Sequence, residues 1–300
     1  MVRGKRRQFR FGRHYTAHKN LEMKLHLDRL VCVGLSQIVP TRWLQVKGNR
    51  LPILMYHGID EAQSDRHPYF QTNTSMAAFR AQMQMLAERG YRGVSLEQAL
   101  YHSSGDSGQL VVITFDDGYA DFYDEAVPVL ANHGFTATVY VVSDLTGNYR
   151  LTKGGKTFMS WADVRELSKY GIQVGSHTVT HGHLCKASDA QLKNELRHSK
   201  EDIEDGIGSP IDSFSYPYAF PEHNKLYIKR VRECLQMYGY KNAVSTIVGT
   251  ANSKTDPYLL PRLPVNTFDD NTFLQAKLNG GYDWIHTLQY AKKICTARLA

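Results

Sequence analysis

Two adjacent acids, Asp116 and Asp117, follow the apolar run "VVITF" (111–115), and Gly118 stands behind them. His177 and His181, in H-x-x-x-H spacing, follow "IQVGS" (172–176). His57 follows "ILMY", Pro217 and Tyr218 follow "FSY", and Arg262 lies within "LPRLPV". Two imidazoles and one carboxylate make a three-ligand site for a divalent metal, with a fourth position left for water; that is the arrangement of a catalytic rather than a closed structural zinc site. Bound zinc lowers the pKa of water to roughly 7 and polarises a carbonyl. Cobalt, nickel or iron could use the same ligands. Neighbouring residues on an extended chain face opposite sides. One acid of the doublet could therefore hold the metal while the other takes a proton from water, with His57 as the acid for a leaving group. Each element is weak alone. A DDG sequence is often a turn, and a second H-x-x-x-H, His14 and His18, lies in a basic N-terminal run. Their common position, directly after predicted strands, gives them weight together.

Such groups meet only if the strand ends share one face. From residue 51 onward, apolar runs alternate with segments of helical spacing. The runs at 51–56, 110–115, 135–142, 172–176, 211–217, 242–247 and 258–265 read as strands. Helices are predicted over 75–90, 121–134, 160–171, 188–206, 223–239 and 271–280. Ser75 is placed as a cap, Ser188 and Gln191 as a capping box, and Gly90, Gly134 and Gly171 as stops. This alternation implies parallel βαβ units, in an open doubly wound sheet or in a barrel. No G-x-G-x-x-G follows the first strand and no Walker-type loop occurs, so nucleotide binding loses its main support. In a barrel, function gathers at the C-terminal ends of the strands.

The chain of 300 residues suits one α/β barrel, and no stretch approaches the roughly 20 apolar residues of a membrane-spanning helix. Its net charge of +7 is unevenly spread. Residues 1–50 hold 12 Lys or Arg against 2 Asp or Glu; the remainder holds 24 basic and 27 acidic residues. Residues 1–50 are therefore expected to be a basic, partly disordered extension, solvated or meeting an anionic membrane surface, and 51–300 the catalytic domain. The slightly acidic body argues against a nucleic-acid enzyme. The run "LVCVGLSQIV" (30–39) is a poor secretory signal, since it starts late and contains Gly, Ser and Gln. A cytoplasmic or inner-membrane-associated location is expected, with the cell envelope as the alternative. Cys32, Cys185, Cys234 and Cys295 form no C-x-x-C pair and read as buried free thiols.

"TFDDG" (114–118), "SHTVTH" (176–181) and "SYPY" (215–218) together resemble the motifs of the polysaccharide deacetylase family, carbohydrate esterase class 4. "ILMYHGI" (53–59) is similar to the branch of poly-N-acetylglucosamine deacetylases, in which the catalytic His motif opens the domain. The resemblance covers roughly residues 51–280 and implies a distorted, incomplete (β/α) barrel. It implies metal-dependent removal of acetyl from an N-acetylated sugar in a polysaccharide, oligosaccharide or glycolipid, in exopolysaccharide or cell-envelope biosynthesis. Carried over by position, it makes Asp116 the general base, Asp117, His177 and His181 the metal ligands, and His57 the general acid. Tyr218, after Pro217, would offer its backbone N–H to the oxyanion. Tyr216, Tyr218 and Phe220 would form a sugar-facing wall or belong to the core. Many members carry Arg at the position of Ser215, where it orients the base; Arg262 could supply that charge from a neighbouring strand. His183 reads as a supporting or surface residue. The competing readings are an amidase or deformylase acting on a small or lipid-linked amide, and a non-catalytic glycan-binding protein on the same barrel.

Overall fold

Short apolar runs, each ending in a polar group, close on one another as a ring of parallel strands. The computed structural model describes residues 29–35, 50–61, 71–101, 109–153 and 155–299. The principal strands are β1 (Ile53–Tyr56), β2 (Tyr91–Val94), β3 (Gln109–Phe115), β4 (Thr138–Val141), β5 (Gln173–Ser176), β6 (Ser213–Ser215), β7 (Asn242–Val248) and β8 (Leu260–Pro264). Seven of them form the ring in the order β1-β8-β7-β6-β5-β4-β3, and β3 returns to β1 through the register Ile53↔Val112 to Tyr56↔Phe115. The expected (β/α) barrel is present, one strand short of eight. β2 pairs with the N-terminal half of β3, outside the ring. The seams are unequal. β4 and β5 share four register pairs, whereas β5 and β6 share one, Phe214↔Ser176.

Alternation along the strands sorts the apolar residues into two clusters. Ile53, Val112, Tyr140, Val244 and Leu260, one from each of five strands, pack together inside the ring. Their outward neighbours Leu54, Tyr56, Ile113, Phe115, Val139 and Val141 join the larger cluster beneath the helices. Those helices are α1 (Met76–Glu88), α2 (Leu96–Tyr101), α3 (Val127–Asn132), α4 (Trp161–Glu166), α5 (Asp189–Ile207), α6 (Lys225–Met237), α7 (Asn271–Leu278) and α8 (Trp284–Leu299). Ser75 caps α1, and Ser188 with Gln191 forms the expected capping box on α5. Residues 122–126 make a wider π turn before α3.

Several features depart from the sequence reading. β2, α2 and α8 were not foreseen. Residues 29–35, inside the basic extension, form a helix docked on the domain: Cys32 is fully buried, Trp284 Nε1 donates to its Sγ at 3.3 Å, and Arg29 pairs with Asp270. The rest of the extension before Arg50 lies outside the described residues. Only Cys32 and Cys234 are buried thiols; Cys185 and Cys295 are exposed. Among the described residues no helix is long and apolar enough to cross a membrane.

Candidate active site

Because the ring strands are parallel, their C-terminal ends meet at one rim, and the polar residues that follow them meet there too. His57 follows β1, Asp116 and Asp117 follow β3, and His177 follows β5. Asp117 Oδ1 lies 3.5 Å from His177 Nε2 and 3.3 Å from His181 Nε2, and ligand atoms of the three fall within 4.8 Å of one another. His177 Nδ1 sits 2.9 Å from the Ser215 carbonyl oxygen. That bond fixes the N–H on Nδ1 and leaves the Nε2 lone pair toward Asp117, as a metal-ligating imidazole requires. Two nitrogens and one oxygen of this type fit a divalent ion with open positions.

Asp116 is separate and buried. Arg262 grips it with two bonds, Nη1 to Oδ1 at 2.8 Å and Nη2 to Oδ2 at 2.7 Å, and Ser215 Oγ donates to Oδ1 at 3.1 Å. Arg262 is itself almost fully buried and is held by the carbonyl of Ser245 and the hydroxyl of Thr114. Burial alone would raise the Asp116 carboxyl. The Arg262 charge, with His177 and His57, more than offsets this and brings it down to about 2. His57 Nε2 stands 4.0 Å from Asp116 Oδ2, and burial lowers its pKa from the usual imidazole value. A carboxylate held ionised near neutrality and an imidazole thus face one space beside Asp117, His177 and His181.

The backbone turns sharply to achieve this. Among the described residues, the left-handed non-glycine positions are Asp117, Thr178, His181 and Tyr218, all at the site. Left-handed backbone is unusual for such residues and collects where function fixes it. The doublet therefore splits through the left-handed turn at Asp117 rather than through strand alternation. Thr178 Oγ1 accepts from the His181 N–H at 2.9 Å, and Glu195 accepts from the N–H groups of Val179 and Thr180. Tyr119 hydrogen-bonds Asp117. Sequence reasoning missed Tyr119, Thr178, Glu195 and Thr114. Tyr119 adjoins the first motif, and Thr114 and Thr178 lie inside the two motifs; Glu195 lies on α5 with no local signal.

The expected aromatic wall divides. Tyr216 and Phe220 are buried, and the Tyr216 hydroxyl donates to the Tyr258 carbonyl, so both belong to the core. Pro217 is buried as well. Tyr218 is 45% exposed, stacks on His183 at 3.8 Å, and its carbonyl accepts from Thr246 Oγ1 at 2.9 Å.

A family profile described as polysaccharide deacetylase matches residues 104–243. YxkH of Bacillus subtilis (strain 168), whose own polysaccharide deacetylase assignment is provisional, is 29% identical over 249 residues, covering 82% of each chain. The poly-beta-1,6-N-acetyl-D-glucosamine N-deacetylase of Staphylococcus aureus (strain MRSA252) is 22% identical over 247 residues, covering 76% of this chain and 82% of that one. Among solved structures, Streptococcus pyogenes deacetylase PplD in complex with acetate shares the fold at a TM-score of 0.65 and 24% identity, covering 77% of this chain and 99% of that one.

Proposed function

We propose, from the premise that this chain belongs to the polysaccharide deacetylase family, that it hydrolyses the acetamide of an N-acetylated glycan, breaking the C–N bond to leave acetate and a free sugar amine. The observation that carries this is the pairing of two clusters on one rim: Asp117, His177 and His181 within ligand distance, and beside them Asp116 held ionised by Arg262. Zinc is the ion this donor set suits best. Held there, it would supply Lewis-acid polarisation of the acetamide carbonyl and a lowered pKa for the attacking water.

The protein's own groups do the rest. Asp116 accepts the proton that the attacking water gives up. Arg262 and Ser215 fix its carboxylate in one orientation. The backbone N–H of Tyr218 donates to the oxygen that gains charge as the carbonyl is attacked. His57 delivers a proton to the sugar nitrogen as the C–N bond breaks, so the amine departs neutral. A β-1,6-linked N-acetylglucosamine polymer, the substrate named for the S. aureus relative, is the first glycan to try.

The test is metal analysis of the purified protein together with acetate release from N-acetylglucosamine oligomers. Release should stop on chelation and return with zinc. Asp116→Asn should lower kcat by about 100-fold or more. Undiminished release from that variant would reject Asp116 as the base. Absence of release from every glycan by the zinc-loaded wild type would favour a binding protein.

A further inference from the structure

The segment after His57 is held from three directions. An ideal Cβ built on Gly58 would lie 3.0 Å from Lys156 Nζ, 3.1 Å from Asn73 Oδ1 and 3.3 Å from Asp121 Oδ2, so three polar side chains converge on the residue next to the imidazole. Asp121 accepts the backbone N–H of Ile59. Lys156 Nζ donates to Asp60 Oδ2 at 2.7 Å. Gly58 and Ile59 also pair with Asn73 and Thr74 in a short ribbon. The elements that supply these groups are themselves tied to the site. Asp121 closes the turn that begins with Asp116 and Asp117. Lys156 belongs to the hairpin Thr152–Lys153 and Lys156–Thr157; just beyond it, Phe158 bridges to Tyr119 and the Met159 N–H donates to the Gly118 carbonyl.

We propose that Asp121 is a positioning residue for the general acid: by holding residues 58–60 against the 116–121 turn, it sets the place of His57 relative to the base and the metal ligands. This rests on the role given to His57 above. Asp121 touches neither the imidazole nor the ligand triad in this scheme; it acts through the backbone, with Lys156 gripping the same segment one residue further on. One turn of chain thereby carries the base, one metal ligand and the brace for the acid. The proton donor and proton acceptor keep their spacing although they sit on different strands.

The consequence separates two kinds of substrate. A sugar amine is a poor leaving group and needs the proton from His57, whereas 4-nitrophenolate leaves without one. Asp121→Ala should therefore lower kcat for acetate release from N-acetylglucosamine oligomers about tenfold or more, with KM little changed, while hydrolysis of 4-nitrophenyl acetate falls much less. Asp121→Asn keeps an oxygen acceptor for the Ile59 N–H and should recover most of the loss. His57→Ala, measured alongside, should change the ratio of the two activities in the same direction and further. Equal loss on both substrates in Asp121→Ala would mean a general structural defect and overturn the proposal, as would loss on neither. A damaged His57→Ala beside an intact Asp121→Ala would overturn the brace alone. An intact His57→Ala would bring down the assignment of the acid and the brace with it.

Discussion

Arg262 carries a charge into the barrel interior from β8, which is separated from β3 by β1. It was legible in the sequence as a cation near a strand end, and the absence of Arg at the position of Ser215 made it wanted. Its bidentate grip was not legible, because registry between distant strands leaves no mark on either one. The pairing has a thermodynamic consequence. The Asp116 carboxyl moves from 3.8 in its ordinary state to about 2 in the fold. A depressed carboxylate contributes stability above its unfolded pKa and loses it as pH falls through the folded one. The protein should therefore shed about 2 kcal/mol between pH 4 and pH 2 on this account. Arg262→Met removes the partner and leaves a buried lone carboxylate, which costs about 3–5 kcal/mol near neutrality. Urea unfolding at stepped pH reads both effects. In the variant, acid should cease to destabilise through this group, since protonation then relieves it. A variant as stable as wild type at pH 7 would contradict the pairing.

Elements with strong local signals were readable: alternating or continuous apolar runs for the ring strands, Ser caps and Gly stops for the long helices. β2 escaped because it is a four-residue run with an Arg and a Gly inside it. α8 escaped because its mixed composition shows no clean helical stripe. The four left-handed residues escaped because Thr and Tyr give no warning of such backbone, and the preference of Asp and His for it is too weak to place a turn. Gly175 on β5 shows what close packing demands of the element that presents His177. An added Cβ would stand 2.6 Å from the Tyr140 ring and 2.9 Å from the Ser213 carbonyl oxygen. Gly175→Ala should cost about 1–3 kcal/mol through overpacking. Since His177 lies two residues on, zinc affinity should weaken in parallel, as thermal melting and metal titration would reveal. Unaltered melting would show that Tyr140 has room to move.

At the scale of the molecule, alternation implied the parallel βαβ units but left an open sheet and a barrel both possible; the resemblance pointed to the closed ring, and nothing in the sequence pointed to the packing of the chain's ends. The helix over residues 29–35 settles against Trp284 of α8, and α8 in turn reaches the Tyr218 loop, with His286 and Lys293 on Glu222 and Gln289 on Thr246. Contacts of this length have no local precursor in sequence. The weakest joint in the ring is the one between β5 and β6, where a single register pair is supplemented by the His177 imidazole on the Ser215 carbonyl. The imidazole is thus a rivet as well as a candidate ligand, with one nitrogen fastening the wall and the other turned toward Asp117. Zinc would clench that rivet. Amide hydrogen exchange at Phe214 and Ser215 should slow several-fold when zinc is added to wild type, and should not respond in Asp117→Asn. The wall of this barrel would then breathe most where the catalyst is loaded, and filling the site would be what shuts it.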